Sequence, residues 1–299
     1  MEQPTSPGPA GAAAPAGGSA PTPTPTPTPV PAEAPKPPRN RPHASLSIVL
    51  PAYNEAERIG PALDELFQFL DDAANVGEVA GLPLKIEVLV VDDGSRDGTG
   101  SIVSARREAQ PNKAQPEPRL RLVRAKHAGK GAAVRTGMLA AKGDLVIFTD
   151  ADMATPPDQL PKLVAALKNA DVALGSRIQP DGTDMRASQP PFRQQLGRLF
   201  HNLASWWVVG PVEDTQCGFK GFTREASLDV FAEQKVTSIV FDVELIYIAR
   251  KRGYEIAIVP IQWNDRRGSR MQPGVALALR VLWDLIRIPS LHRGVKPRA

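Results

Sequence analysis

Apolar runs alternate along the chain with stretches whose apolar residues recur at helical spacing. Runs rich in valine, isoleucine and leucine occupy residues 46–50, 86–91, 120–123, 145–149 and 172–174. Runs of this length, bounded by turn residues, are typical of buried β-strands. Because strand and helix alternate four times over, the pattern predicts an α/β domain with a mostly parallel, doubly wound sheet and helices on both faces.

Three helices are predicted between these strands. The second follows Asp97, which can cap a helix, and its apolar face begins at Ile102 and Val103. The third begins at Gly129-Lys130-Gly131 and runs to about Ala141. The first has the clearest apolar face, made of Ile59, Leu63, Leu66, Phe67 and Leu70.

Polar residues follow the predicted strands at the point where each strand ends. Ligands of open parallel sheets bind at the carboxyl ends of the strands, which meet at one edge. Solvated loops explain any one of these groups, but four of them at the same edge predict a binding site. The groups are Asn54 and Glu55, Asp92 and Asp93, residues 126–130, and Asp150 and Asp152.

Two aspartates one residue apart close the fourth strand. Side chains alternate along a strand, so Asp150 and Asp152 are expected to point the same way. Mg²⁺ takes one or two carboxylates together with substrate phosphates, and such a pair suits that arrangement. Taken alone, the pair would sooner indicate a polar strand end, because aspartate commonly opens turns. The surrounding polar loops favour the metal site.

The loop around Lys130 is suited to an anion. Its flanking glycines allow backbone amides to approach a negative group at a helix N-terminus, where the helix dipole also favours negative charge. The chain lacks the Gly-x-x-x-x-Gly-Lys-Ser/Thr sequence of a P-loop. No Gly-x-Gly-x-x-Gly follows the first strand, so a dinucleotide cofactor is not expected.

Composition divides the chain into a tail and a folded part. Of the 31 prolines, 14 precede residue 43, and they include a Pro-Thr repeat. Such a segment cannot bury a core, so residues 1–43 are predicted to be a disordered tail without a signal peptide. Residues 44–272 are predicted to form a single domain, and 273–299 an amphipathic helix with a basic tail.

Charge and cysteine content limit the classes of ligand that the protein can bind and the redox state of the compartment in which it works. The formal net charge of +4 is a mild basic excess that suits phosphorylated ligands or anionic lipid. It does not favour nucleic acid, and the chain has no zinc-finger spacing or RNA-binding motif. The single cysteine, Cys217, excludes an intramolecular disulfide and fits a reducing compartment.

Several segments in order resemble the inverting family 2 glycosyltransferases of GT-A fold. They read PAYNE at 51–55, VVDDGSRDGT at 90–99, GKGAA at 129–133 and DAD at 150–152. Later segments resemble dolichyl-phosphate β-glucosyltransferases more narrowly: GSR at 175–177, DTQCGFK at 214–220, and Trp263 with GSR at 268–270. Mannosyl relatives usually have glutamine two residues after the second aspartate, where this chain has Ala154. That departure favours the glucosyl branch and removes one possible metal ligand.

The resemblance implies a role for each matching residue. Asp92 would bind the base, Asp150 the ribose or the metal, and Asp152 would ligate Mg²⁺ or Mn²⁺ at the diphosphate. Arg270 would close over the phosphates, whereas Arg266 and Arg267 are expected to be a solvated basic turn. The remaining residues expected to line the nucleotide-sugar pocket are Pro51, Ala52, Tyr53, Glu55, Asp93 and Lys130.

The acceptor decides which further residues are needed. A hydroxyl must lose a proton as it attacks and needs a base, whereas a phosphate monoester, with its second pKa near ~6, is already largely dianionic. Cations would hold such a phosphate, and Arg177, Arg193 and Arg198 are the candidates. Asp214 is the candidate for a catalytic base or for orienting the attacking oxygen. A helix cap is its alternative role.

The resemblance therefore implies an inverting enzyme that moves a hexose, most simply glucose from UDP-glucose, to a polyprenyl or dolichyl phosphate. Two alternatives stay open. One is transfer to a hydroxyl acceptor in glycolipid or polysaccharide synthesis. The other is a sugar-nucleotide-binding partner without turnover, against which the intact Asp150, Asp152, Asp214 and Arg177 argue.

No transmembrane helix is expected. The segment 275–291 is the best candidate, but it carries Arg280, Asp284 and Arg287, which share one helical stripe. This segment, or 199–212 with Trp206 and Trp207, could lie on a membrane surface, pack on the domain or form a homo-oligomer. We expect a protein on the cytoplasmic face of a membrane.

Overall fold

The computed structural model describes residues 42–76, 81–83, 85–111, 116–185, 208, 210, 212, 214–264 and 275–298, and within them seven strands form one sheet. The strands are β1 (Ser45–Ala52), β2 (Lys85–Asp92), β3 (Leu120–Arg124), β4 (Leu145–Phe148), β5 (Val172–Ser176), β6 (Lys220–Thr223) and β7 (Ile256–Pro260). The helices are α1 (Ile59–Val76), α2 (Thr99–Ser104), α3 (Lys130–Ala140), α4 (Leu160–Leu167), α5 (Arg224–Glu233), α6 (Phe241–Arg252) and α7 (Val275–Leu291).

The strand order is β3-β2-β1-β4-β6-β5-β7. All neighbouring strands run parallel except β6, which is antiparallel to β4 and to β5. The predicted mostly parallel α/β class is thus confirmed, while β6 and β7 were not predicted. The order reverses between β1 and β4, and the crevice at such a reversal is where open α/β sheets bind their ligands.

Alternating side chains of the strands build one apolar core on each face of the sheet. On one face Val49, Val91 and Phe148 pack against α3, α5, α6 and α7. On the other, Ile48 and Val90 pack against α1, α2 and α4. Strands covered on both faces read as continuous apolar runs, which explains why their positions could be predicted from the sequence.

The last helix, α7, has the predicted bounds, and one of its three charges is buried. Asp284 is buried and accepts a hydrogen bond from Ser238 Oγ at 2.7 Å, whereas Arg280 is exposed. The three charges do fall on neighbouring turns of one helix, and Arg287 Nη2 lies 2.9 Å from Asp284 Oδ1, but the carboxylate of Asp284 faces the protein. Among the described residues, no helix is both long and apolar enough to cross a bilayer.

Candidate active site

The loops that follow β1 and β2 are bonded to each other. Asn54 N donates to Ser95 Oγ at 2.9 Å, and Arg96 N donates to Asn54 Oδ1 at 2.8 Å. Glu55 N donates to Thr99 Oγ1 at 2.8 Å. These bonds hold the PAYNE segment, with Pro51 and Ala52 at the end of β1, beside the DDGS segment at the crevice.

Two aspartates at the end of β2 are buried and do different things. Asp92 Oδ1 accepts from Ser95 N at 2.8 Å, and a Cβ on Gly100 would lie 2.7 Å from Asp92 Oδ2, so that glycine makes room for the carboxylate. Asp93 accepts from Ala128 N at 2.9 Å and from Gly129 N at 3.0 Å. Asp93 therefore supports the loop that leads into α3.

An aromatic platform stands at this edge of the crevice. The rings of Tyr53 and His127 stack, with centroids 4.1 Å apart and planes inclined by 20°. His127 Nδ1 lies 2.9 Å from Asp93 Oδ2, which fixes the imidazole. His127 had no assigned role in the sequence analysis, since a lone histidine in a basic loop gives no signal of its own.

Lys130, the first residue of α3, reaches across to the aspartates after β4. Its Nζ lies 2.6 Å from Asp150 Oδ1. Burial alone would lower the pKa of Lys130, but the carboxylates of Asp150 and Asp242 outweigh it and raise that pKa well above its usual range. Lys130 is therefore a fixed cation.

Asp150 and Asp152 lie in a turn and not on the strand. Because β4 ends at Phe148 and Met153 has φ of +51°, strand alternation does not explain their placement, and that reason was wrong. They are nevertheless neighbours: burial raises the pKa of Asp152, and the charge of Asp150 raises it further. A Cβ on Gly218 would overlap the Asp150 carboxylate, so Gly218 lets the backbone cover that group.

This pair fits a hard divalent cation. Among the described residues, no cluster of three histidine, cysteine or acidic side chains could hold a metal. Mg²⁺, however, needs only one or two carboxylates when a substrate supplies phosphate oxygens. The mutual repulsion that raises the pKa of Asp152 is also what a bound cation would relieve.

Arg177 and Asp214, 37 positions apart, form one buried ion pair. Arg177 Nε donates to Asp214 Oδ2 at 2.8 Å, Arg177 Nη2 to Oδ1 at 2.7 Å, and Arg177 N to Oδ2 at 2.9 Å. Burial opposes the charge of Arg177, but the bonds to Asp214 and the nearby charge of Asp150 raise its pKa. No helix follows Asp214, since the next element is β6, so the helix-cap alternative is wrong.

The segment after β7 closes over this region. Asn264 N donates to Ala154 O at 2.8 Å, which places the segment against the turn of the two aspartates. The guanidinium carbon of Arg177 lies 5.6 Å from the ring centroid of Trp263. These contacts bring together the DAD turn, Trp263, the GSR segment at 175–177 and the DTQCGFK segment at 214–220.

A second buried ion pair, Lys220 with Asp242, lies near Lys130. Lys220 Nζ donates to Asp242 Oδ1 at 2.5 Å and also to Cys217 O. Burial raises the pKa of Asp242, while Lys220 and then Lys130 oppose the rise. Asp242 was not predicted from the sequence, although an acid directly between Phe241 and Val243 is the kind of signal that could have revealed it.

Three of the predicted cations lie outside the described residues. They are Arg193 and Arg198, expected at the acceptor, and Arg270, expected at the donor phosphates. Trp206 and Trp207 lie outside as well. Their roles stay predictions.

Comparison with known proteins gives close relatives. The family model described as glycosyl transferase family 2 matches residues 47–231. A dolichyl-phosphate beta-glucosyltransferase of Trichomonas vaginalis is 37% identical over 254 residues, covering 83% of this chain and 71% of the relative. Enzymes of that name from Drosophila melanogaster and Homo sapiens are 38% and 34% identical, and each match covers 78% of this chain and 71% of the relative.

Solved structures of similar fold are more distant in sequence. Glucosyl-3-phosphoglycerate synthase from Mycobacterium tuberculosis in complex with UDP has a TM-score of 0.56 at 20% identity, covering 86% of this chain and 82% of that chain. The same enzyme with Mn²⁺ and UDP-glucose has a TM-score of 0.54 at 22% identity, covering 86% and 81%. The likeness shows the GT-A fold. The chain thus belongs to glycosyl transferase family 2, as a GT-A glycosyltransferase homologous over most of its length to dolichyl-phosphate beta-glucosyltransferases.

Proposed function

We propose that the protein transfers glucose from UDP-glucose to a polyprenyl phosphate such as dolichyl phosphate, with inversion at the anomeric carbon. The names of its relatives support the donor sugar and the lipid phosphate. The observation that carries the choice of acceptor is the pairing of Asp214, the candidate base, with Arg177 through both carboxylate oxygens. Such bonds favour the charged carboxylate and make it a poor proton acceptor.

The donor nucleotide would lie in the crevice between the loops after β1 and β2. The platform of Tyr53 and His127 offers a flat face for a base, and Asp92 offers a carboxylate oxygen to a ring N–H. Glu55 is held by Arg58, with Oε2 2.6 Å from Nε, and so forms a rigid wall of the pocket. These contacts support the roles expected for Tyr53, Glu55 and Asp92.

Asp150 and Asp152 would hold Mg²⁺ or Mn²⁺ at the diphosphate of the donor. When bound, such an ion neutralises the charge that develops on the leaving diphosphate. Mn²⁺ is present in crystals of a structural neighbour together with UDP-glucose. Lys130 fixes the orientation of Asp150 through their ion pair, and its positive charge would also attract the phosphates of the donor.

The acceptor phosphate would attack the anomeric carbon from the face opposite UDP. The bond from a phosphate oxygen to that carbon forms as the bond to the UDP oxygen breaks, and the electron pair leaves with UDP. No proton needs to move, since the phosphate is already largely dianionic above pH ~6. Asp214 fixes Arg177, and the remaining guanidinium donors of Arg177 would hold the acceptor phosphate.

A lipid acceptor requires the enzyme to work at a bilayer. We place it on the cytoplasmic face, where a nucleotide sugar such as UDP-glucose would reach the donor pocket. The mild basic excess of the chain supports a position on anionic lipid.

A transfer assay tests this function. The enzyme is incubated with polyprenyl phosphate and labelled UDP-glucose, and in parallel with labelled GDP-mannose, with Mg²⁺, with Mn²⁺ or with a chelator. We expect label in the lipid fraction from UDP-glucose alone, and none in chelator. Transfer from GDP-mannose but not from UDP-glucose, or full activity in chelator, would contradict the donor or the metal assignment.

A further inference from the structure

Trp263 is half-buried and is held in place by backbone hydrogen bonds on both sides of it. Before it, Ile261 N donates to Ser176 O at 2.9 Å. After it, Asn264 N donates to Ala154 O at 2.8 Å. The backbone of Trp263 is therefore fixed between the end of β5 and the turn of the two aspartates.

Both of these anchors adjoin groups that the proposed reaction uses. Ser176 is followed directly by Arg177, the cation proposed for the acceptor phosphate. Ala154 N donates to Asp152 Oδ1 at 3.1 Å, and Asp152 is a proposed metal ligand. The segment that carries Trp263 thus connects the donor side of the site with the acceptor side.

The ring of Trp263 covers one face of the Arg177 guanidinium. The guanidinium carbon lies 5.6 Å from the ring centroid, which is within the range of a cation–π interaction. Asp214 binds the same group at its edge, with bonds of 2.8 Å from Nε and 2.7 Å from Nη2. The side chain of Arg177 is only 13% exposed and that of Asp214 1%, so water screens these contacts little.

The contact with the face adds something that the contact with the edge does not supply. An arginine donates its hydrogen bonds in the plane of the guanidinium. The pair with Asp214 still permits this plane to tilt about the axis that joins the two groups, whereas a ring against the face opposes the tilt. A tilt would turn the Nη1 donors away from a phosphate bound at the opposite edge.

We infer that Trp263 is a positioning residue for the acceptor, because it holds the plane of Arg177 so that the Nη1 edge meets the phosphate of a polyprenyl phosphate. The inference rests on the proposed function, since it requires a phosphate acceptor. It gives Trp263 no contact with the donor. Loss of the ring should therefore change the KM for the lipid phosphate and not the KM for UDP-glucose.

Steady-state transfer by three variants tests the inference. Polyprenyl phosphate, dispersed in a neutral detergent, is varied at saturating UDP-glucose, and UDP-glucose is then varied at saturating polyprenyl phosphate. Trp263→Leu keeps an apolar side chain but removes the aromatic face, whereas Trp263→Phe keeps a smaller face. Trp283→Leu is the matched control, since Trp283 is 62% exposed on α7.

We expect Trp263→Leu to raise the KM for polyprenyl phosphate by about three- to thirtyfold and to leave the KM for UDP-glucose close to that of the unaltered chain. Trp263→Phe should recover most of this loss, and Trp283→Leu should change neither constant. In an Arg177→Ala background Trp263→Leu should have no further effect, because the ring then has no cation to hold.

Three results would overturn the inference. A higher KM for UDP-glucose with an unchanged KM for polyprenyl phosphate would assign Trp263 to the donor. An equal loss in the Arg177→Ala background would show that the ring acts independently of Arg177. A lower melting temperature together with a lower kcat and unchanged KM values would show a purely structural role.

Failure of the proposed function would look different. If the unaltered chain transfers no glucose to polyprenyl phosphate, the proposed function is contradicted, and the inference falls with it. The three results that overturn the inference alone are all measured on an enzyme whose unaltered form is active, so the two failures are distinguishable.

Discussion

Arg177 and Asp214 act as one unit: two guanidinium nitrogens bond the two carboxylate oxygens at 2.8 and 2.7 Å, and the arginine's own backbone N–H donates a third bond. From the sequence these residues were candidates for separate tasks, one for the phosphate and one for a base. Removing either side chain takes away the two-bond partner of the other, so single substitutions cannot assign the two tasks separately.

Coupled losses are expected from this pair. Arg177→Ala and Asp214→Asn should each reduce kcat/KM with the lipid phosphate by about ten- to a hundredfold, and the double variant should lose little more than either single one. Donor affinity should stay close to that of the unaltered enzyme. A double-variant cycle on kcat/KM measures this, and additive losses would show that the two side chains work independently.

Asp152→Asn should abolish transfer without harming the fold. Since burial and Asp150 raise the pKa of Asp152, the folded chain holds a proton there more tightly than the unfolded chain does. In the presence of a chelator, ionisation of Asp152 therefore lowers the free energy of unfolding. The loss begins as the pH passes the usual carboxyl pKa and is complete above the raised pKa of the folded chain. The amide removes that cost, so its melting temperature in chelator should equal or exceed that of the unaltered chain at neutral pH, with the difference vanishing below about pH 4.

A surface aspartate provides the control for that experiment. Asp72→Asn changes an exposed carboxylate on α1, and its melting temperature should follow that of the unaltered chain across the pH range. A lower melting temperature for Asp152→Asn at neutral pH in chelator would show that its carboxylate has a structural role instead.

Gly218→Ala tests the close cover over Asp150. A Cβ at this position overlaps the Asp150 carboxylate, so that side chain must leave its present place, where it pairs with Lys130. We expect kcat/KM to fall by about tenfold or more. Gly60→Ala is the control, since a Cβ there meets no atom within 4 Å, and it should keep full activity with stability raised by up to about 1 kcal/mol.

Lys220 and Asp242 should matter for stability in a way that a double variant reveals. Removing one partner of a buried pair leaves an uncompensated charge and costs about 3–5 kcal/mol, so Lys220→Met and Asp242→Leu should each lower the free energy of unfolding by that order. The double variant should recover much of the loss, because no lone charge is left. Its activity should stay low, since Lys130 has lost the nearby carboxylate that supports its charge. Denaturant unfolding and transfer assays separate the two effects.

Much of the fold could be predicted because buried strands are continuous apolar runs. The run at 86–91 became β2 (Lys85–Asp92), and the amphipathic segment at the C-terminus became α7 with the expected bounds. Strand β6 (Lys220–Thr223) was missed, since four residues with a lysine and a glycine show no strand pattern. That lysine is stable in the interior because Asp242, 22 positions later, neutralises it and Cys217 O accepts a further hydrogen bond.

The site was predicted less completely than the fold, for a physical reason. The ends of the strands can be predicted from the sequence. This was enough to predict that the loops of Asp92 and Asp150 lie at the same edge of the sheet. Pairing between distant residues cannot be read in this way, and it decides what Asp214, Asp93 and Lys130 do: they bind Arg177, the loop before α3, and Asp150.

The proposed reaction uses a phosphate as its acceptor and needs no protein base. Initial rates with UDP-glucose should be compared for polyprenyl phosphate and for the polyprenol of the same chain length, on the same vesicles and across the pH range. We expect transfer to the phosphate, with activity falling only below about pH 6 as the acceptor takes up its second proton, and no product from the alcohol. Transfer to the polyprenol at a comparable rate, rising with pH as a protein base ionises, would contradict it.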